Sequence, residues 1–402
     1  MFSICMDINI FKKDKLMNYI NRLLDNNLKD YIGYFPATAI LGPRQCGKST
    51  LIKEFLKDRE ESIYLDLQLE SDRLKLSNPE QFFSYNEDKQ ICLDEVQRVP
   101  GIYSTLKSII DKNRRAGRFI ILGSASRDLI KQSSESLAGR IGYLELSQYI
   151  FPEISEYKSV KDLWVQGGFP DSFLASLKLS QNWRNNFIRT FLERDIPQIG
   201  FSSPADTIGR LWKMLAHNHG QTLQLSNLGR SLGVSHTTVR NYIDLLNQTF
   251  MTRELKPLES NIGKRLVKSS KLYIRDSGIL HSLLNISDFN ELVSHPVFGF
   301  SWEGFVINNI CTYLNDYEAY LYKTTQGAEL DLILIKGDKK IAFELKVSDA
   351  PKLTKGFWNA IEDTKPNITY VVSPVSDKYP VSENIWGIGL PMLFKELKSF
   401  KD

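Results

Sequence analysis

The sequence predicts an α/β protein: a doubly wound parallel sheet in its first third, then helical segments, then a smaller α/β domain. Three observations carry that prediction. Strand-length apolar runs alternate with helical segments between residues 36 and 147, a pattern that builds parallel sheets. Two short helical windows flank Gly233 between residues 222 and 246. A two-residue hairpin signal, Gly337-Asp338, sits between alternating apolar runs near the C-terminus.

The totals bound the rest. At 402 residues the chain exceeds one ordinary core and divides into roughly two to four domains. Hydrophobic residues at 42% and charged residues at 24% are those of a folded globular protein. A net charge of +4 is too mild to assign a nucleic-acid partner unless the cations cluster. Cys5, Cys46, Cys92 and Cys311 lack CxxC spacing, which points to a reduced, cytoplasmic setting. Met1 to Ile10 contains Asp7 and lacks a basic segment before an apolar core, and no apolar run is long enough for a membrane span, so the expectation is a soluble protein.

Residues 12 to 32 carry spaced apolar side chains, including Leu16, Leu24 and Leu28, as in an amphipathic helix leading to the first strand. The apolar run Ala37 to Leu41 opens directly onto Gly42-Pro43-Arg44-Gln45-Cys46-Gly47-Lys48-Ser49-Thr50, which fits G-x-x-x-x-G-K-[ST] without deviation. Gly42 and Gly47 allow consecutive backbone N–H groups to curl around a phosphate; Lys48 reaches the β- and γ-phosphates, and Ser49 offers its hydroxyl to Mg²⁺. The strand expected at 62 to 67 is followed by Gln90 to Glu95, an apolar run ending in two carboxylates. Asp94 is placed to hold the Mg²⁺ shell beside Ser49, and Glu95 to polarise the attacking water. The run Arg118 to Gly123 delivers Ser124 and Ser126 to the same sheet edge, where ligands bind in doubly wound sheets. Those serines are candidates for the γ-phosphate or simply a turn. Arg140, before a fifth strand at 141 to 146, is a candidate γ-phosphate sensor, in cis or offered to a neighbouring subunit.

Leu41 to Thr50, Leu93-Asp-Glu-Val-Gln-Arg-Val-Pro100, Leu122-Gly-Ser-Ala-Ser126 and Ser136-Leu-Ala-Gly-Arg140 together resemble a family of bacterial and archaeal AAA-type ATPases with a C-terminal domain of unknown function. Gly167-Gly-Phe-Pro-Asp171 and Leu192-Glu-Arg-Asp-Ile-Pro197 are similar to its middle signatures. The resemblance implies an AAA+ core over residues 1–147, a helical lid or linker over 148–203, ATP and Mg²⁺ as cofactors, and motif roles for Asp94, Glu95 and Arg140. AAA+ proteins commonly form rings, so a homo-oligomer is expected with it.

The stretch from Thr222 to Leu246 reads as a helix-turn-helix: Ser226 and Ser235 as N-caps, Gly233 in the turn, and Leu228, Leu232, Val234, Val239 and Ile243 as the shared core. Its second helix would present His236, Thr237, Arg240 and Asn241. With a wing strand at 253 to 258 this predicts a winged helix over 204–258. The densest basic cluster follows, Lys264, Arg265, Lys268 and Lys271, and makes DNA the expected partner, with an interdomain or oligomer contact as the other reading.

In the C-terminal hairpin, residues flanking Gly337-Asp338 oppose one another when their numbers sum to 675. Asp331 then faces Glu344 and Glu329 faces Lys346, with Leu330, Leu332, Leu334, Phe343, Leu345 and Val347 on the other side. Opposed carboxylates repel unless a cation lies between them, and two hard carboxylates beside a lysine suit Mg²⁺-assisted phosphodiester hydrolysis. This order resembles the PD-(D/E)xK nuclease superfamily, which implies a nuclease-like domain over 259–402 with Glu303 on its preceding helix as a further metal ligand. Leu330 stands where that superfamily usually has proline. The chain thus reads as an ATP-binding, ATP-hydrolysing protein acting on or regulated by DNA. Its C-terminal domain either cleaves with Mg²⁺ through Asp331, Glu344 and Lys346, or binds nucleic acid or protein without cleavage under ATP control. A third reading is an ATPase whose winged helix serves self-assembly.

Overall fold

The computed structural model describes residues 19–99, 101–124, 136–198, 204–258 and 266–401. Leu16, Ser126, Lys264, Arg265 and the first ten residues lie outside them. The first sheet has five strands: β1 (Ala37–Gly42), β2 (Ser62–Asp66), β3 (Gln90–Asp94), β4 (Phe119–Ser124) and β5 (Ile141–Glu145), in the order β2-β3-β4-β1-β5. Every pairing is parallel. All six residues of β1 are buried because both faces of the sheet are covered. Ala37, Ala39 and Leu41 enter one core with Ile91, Leu93 and Ile121, while Ile40 enters the other with Cys92, Ile120 and Leu122. The first described helix, α1 (Leu24–Tyr34), packs Leu24, Leu28 and Ile32 into that second core. No described helix is long and apolar enough to cross a membrane.

The second sheet has eight strands: β6 (Thr252–Pro257), β7 (Lys271–Ile274), β8 (Glu318–Lys323), β9 (Glu329–Lys336), β10 (Lys339–Leu345), β11 (Ile368–Ser373), β12 (Lys378–Ser382) and β13 (Ile385–Gly389). Their order is β12-β13-β11-β10-β9-β8-β6-β7. The hairpin keeps the expected register from Lys336–Lys339 to Leu332–Phe343. Beyond that point the expected two-faced pattern fails. Against β8 the register of β9 shifts between Tyr320 and Tyr322, a bulge opposite Leu321. Leu330 therefore joins Ile333 in one core while Leu332 and Leu334 face the other, and Glu329 lies opposite Lys323.

A break in the sheet is also absent where the sequence suggests one. β6 pairs antiparallel with β7 and, at Lys256–Tyr320, parallel with β8, so the expected division at 258/259 falls inside one sheet. One apolar core runs from Ile150 through Trp164, Trp212, Ile243 and Trp302 to Leu397. Local patterning marks a strand at 253 to 258 but does not say which distant strand completes it.

The helices α2 (Lys48–Leu56), α3 (Leu177–Thr190), α4 (Leu225–Leu232), α5 (His236–Gln248) and α6 (Phe298–Tyr313) carry the site residues discussed below. Gly233 joins α4 to α5 at φ 71°, a left-handed turn that glycine takes without strain. Leu228, Leu232, Val239 and Ile243 are buried together. Ser235 caps α5, its hydroxyl accepting the Thr238 N–H at 3.1 Å. Ser226 does not cap α4: the helix begins at Leu225, which packs on the shared core and leaves Ser226 inside the first turn.

Candidate functional site

The phosphate-loop sequence folds as a strand-loop-helix because each glycine is sterically required. A Cβ on Gly42 would lie 2.1 Å from the Leu146 carbonyl oxygen, and Gly47 stands at φ 98° before α2. The unpaired N–H groups of the first turn of α2 thus face the loop. Lys48 is buried and arches back, its Nζ donating to the carbonyls of Gly42 at 2.9 Å and Pro43 at 2.7 Å. The Ser49 hydroxyl donates to Asp94 Oδ2 at 2.7 Å, and the Tyr64 hydroxyl donates to the same oxygen. This is a hard-oxygen pair at the C-terminal edge of the sheet, and it fits Mg²⁺. Burial and Asp94 push the Tyr64 phenol well above its ordinary value, so it stays a donor. Glu95 has φ 56°, an uncommon conformation for a non-glycine residue, and its carboxylate accepts from Gln97. Ser124 ends β4 in register with Gly42, which puts its backbone at the same edge.

The other loop residues divide by environment. Pro43 is buried, Gln45 is exposed at φ 60°, Thr50 is exposed on α2, and the buried Cys46 thiol lies 3.3 Å from the Leu146 carbonyl. Arg44 reaches away from the loop to the Asp195 carboxylate and, at 3.0 Å, Gln198. Asp195 ends a π-helical turn, Phe191–Asp195, that follows α3. A cavity of about 160 Å³ separates α3 from Arg44 and Gln45, with Arg194 on its wall. Arg22 is a second buried tie: it bonds Glu153 at 3.0 Å, the Cys46 carbonyl at 3.0 Å and the Ser147 carbonyl at 2.7 Å. Sequence reading missed both partners; the only signal was that Asp195 lies in a family-like signature. At the C-terminal end of β5, beside Leu41, Arg275 holds Glu145 at 2.5 Å.

Arg140 lies at the other edge. Its carbonyl accepts the Ala37 N–H at the start of β1, a strand's length from Gly42, and its guanidinium is bonded to Asp111 at 2.6 Å. It reaches no phosphate held by its own chain's loop, which removes the cis role.

The C-terminal carboxylates do converge. Glu303 on α6, Asp331 on β9 and Glu344 on β10 are all buried, and the bulge in β9 turns Asp331 inward, where its Oδ2 accepts the Leu345 N–H at 2.9 Å. Lys346 bonds Glu344 at 2.7 Å. Glu329 does not face Lys346; it bonds Lys323 at 2.7 Å and Lys271 at 3.1 Å. Lys271 is no part of a solvated basic cluster, being buried with its Nζ 3.0 Å from Glu303 and 3.5 Å from Asp331. Burial opposes its charge, but Glu303, Asp331 and Glu329 outweigh that and hold the ammonium well above its ordinary value. Among the described residues no group of three or more acidic, histidine or cysteine side chains is arranged to hold a metal ion. The cation standing among these carboxylates is the Lys271 ammonium. Arg240 is likewise occupied, bonding Glu254 at 2.7 Å and Asp244 at 2.5 Å. His236, Thr237 and Asn241 remain exposed on α5.

Burial, then the Asp331 charge, pushes the Glu344 carboxyl up to about 8 against the pull of Lys346; the same two causes push Glu303 up to about 7. A raised carboxyl favours folding at low pH and loses that contribution as pH climbs through the folded value. Lys271, raised from a starting value of 10.5, contributes a constant amount over this window. Between pH 6.5 and about 8, above the range in which the buried His219 and His281 gain protons on unfolding, the denaturation midpoint is expected to fall, and Glu344→Gln to flatten that slope. A wild-type midpoint that rises over the window would contradict these environments.

Residues 34–155 match a family described as an AAA domain, residues 157–290 a domain of unknown function (DUF8612) and residues 298–393 a second one (DUF4143). An uncharacterized protein of Mycobacterium tuberculosis is 39% identical over 351 residues, covering 87% of this chain and 79% of that one. Its counterpart in Mycobacterium bovis matches over the same spans at the same identity. Among solved structures, the Walker-type ATPase of Pyrococcus abyssi superposes with a TM-score of 0.47 at 15% identity, over 66% of this chain and 96% of that one.

Proposed function

This chain belongs to the family of its two mycobacterial relatives and carries an AAA domain over residues 34–155, and on that premise we propose that it is an ATP-hydrolysing switch whose C-terminal half binds a partner without cleaving it. One observation carries the nucleotide part: the Lys48 ammonium over the loop carbonyls together with the 2.7 Å Ser49–Asp94 bond. Mg²⁺ held by Ser49 and Asp94 would neutralise charge developing on the β- and γ-phosphates. Lys48 leaves its loop carbonyls for phosphate oxygens, the N–H groups of α2 bind the β-phosphate, and Glu95 orients the attacking water and takes its proton. The ties from the loop through Arg44 to Asp195 and through Arg22 to Glu153, with Glu145–Arg275 alongside, supply contacts through which loop occupancy biases the rest of the chain. Arg140 is proposed to serve a neighbouring subunit of a homo-oligomer.

Glu95→Gln is expected to retain ATP binding while losing turnover by about 10²- to 10⁴-fold, the usual worth of a general base. Nucleotide binding and phosphate release measured on the same preparation test this; wild-type turnover in the variant would remove Glu95 from the chemistry.

We assign α4, α5 and β6 to a winged helix and the strands around the carboxylates to a PD-(D/E)xK-like fold, with DNA as the partner. Exposed His236, Thr237 and Asn241 and the exposed Lys268 support that partner, although Arg240 offers it little. A salt-sensitive shift of duplex DNA without nicking is the result expected. Cleavage stands as a second reading because Glu344 Oε2 is buried without a hydrogen-bond partner. Mg²⁺-dependent nicking lost in Glu344→Ala would establish it.

A further inference from the structure

The carboxylate cluster poses an electrostatic problem. Glu303, Asp331 and Glu344 are each buried, with side-chain exposures of 9%, 9% and 8%. Charges so placed must be paired, protonated or bound to a cation. A divalent ion would supply two positive charges to oxygens at about 2.1 to 2.5 Å. The side chain standing among the oxygens is instead Lys271, delivered by β7, a strand of the other end of the sheet; its Nζ meets Glu303, Glu329 and Asp331 at 3.0, 3.1 and 3.5 Å. Lys271 is itself 7% exposed, and the Tyr273 hydroxyl donates to the same Glu303 oxygen at 2.6 Å. Lys346 covers Glu344 from the outer side. Glu344 Oε2 is left buried without a hydrogen-bond partner, which one cation at a distance does not satisfy.

We infer that Lys271 stands in for the divalent ion, so that the C-terminal cluster is a metal-independent, lysine-neutralised centre, and that removing this lysine would uncover a latent divalent-cation site. The inference deepens the non-cleaving reading above. It also gives the ammonium a job: it fastens β7, the strand paired with β6 of the helix-pair unit, to Glu303 on α6 and to Asp331 and Glu329 on β9.

The test uses the full-length, nucleotide-free protein and Mn²⁺ alone, with bound metal counted by electron paramagnetic resonance at millimolar ion. Wild type and Glu344→Gln are expected to bind the same number of Mn²⁺ ions, since any ion at Ser49 and Asp94 is common to both. Lys271→Met is expected to bind one more, and its unfolding midpoint to rise on adding Mn²⁺ while that of wild type does not. If wild type binds one more ion than Glu344→Gln, the cluster is a metal site and the inference is overturned. It is overturned equally if a folded Lys271→Met gains no ion. Should that variant not fold, Lys271→Met with Glu329→Gln removes one of the unpaired carboxylates and is measured in its place. ATP turnover of wild type, assayed separately with Mg²⁺, reports on the phosphate loop alone, so failure there is distinguishable from failure here.

Discussion

Lys48→Met is expected to lower ATP turnover by roughly 10²- to 10³-fold, the loss seen when one preorganised donor to developing charge is removed. Methionine keeps the length of the side chain and its packing under the loop, so the fold of β1 and α2 should survive. What disappears is the ammonium that now bonds the Gly42 and Pro43 carbonyls at 2.9 and 2.7 Å. Those carbonyls can turn to water, whereas among the described residues Arg44 is committed to Asp195 and Arg140 lies at the opposite sheet edge, so neither replaces the ammonium at the phosphate oxygens. Phosphate release under single-turnover conditions, set beside the circular dichroism spectrum, separates lost chemistry from lost fold. Turnover within a few-fold of wild type would displace Lys48 from the site.

Arg22→Ala should have the largest effect on stability, about 3–5 kcal/mol, because it leaves a buried carboxylate without its partner. The guanidinium of Arg22 is 3% exposed and Glu153 4%, so neither can turn to water. Alanine also removes donors to the Cys46 and Ser147 carbonyls and the cation stacked 4.7 Å from the Tyr149 ring. Cys46 belongs to the phosphate loop, so weaker ATP binding should accompany the lower denaturation midpoint. Adding Glu153→Gln should recover part of the loss by neutralising the stranded charge. A midpoint unchanged in Arg22→Ala would mean the pair contributes nothing net.

The nucleotide half was legible because its chemistry is local in sequence: strand, loop and helix follow one another, and Asp94 announces itself as the acid that ends an apolar strand. The hairpin was legible for the same reason, its register fixed by Gly337-Asp338. Contacts between distant segments were not. Arg22 draws no reading, Arg44 counts with the phosphate loop and Lys271 with a basic cluster facing DNA, since a positive side chain carries no local sign of the carboxylate it will meet. The bulge beside Asp331 was invisible too: it arises from how β9 fits β8, and one extra residue there reverses which core Leu330 enters and where Glu329 points. Arg240 has the same history, matched to Glu254 through the packing of α5 on β6.

The continuity of the second sheet has a consequence for how the chain matures on the ribosome. β6 emerges with β7 soon after it, but its other neighbour, β8, follows only after α6 has been made, and β9 to β13 later still. Until Tyr320 reaches Lys256, the nascent helix pair carries an open strand edge able to join any other extended segment. The strand pairings of the five-stranded sheet close with β5, well before β6 is made, so that sheet can form first. Synthesis can thus complete the five-stranded sheet before β8 to β13 exist, while the open edge of β6 waits for them.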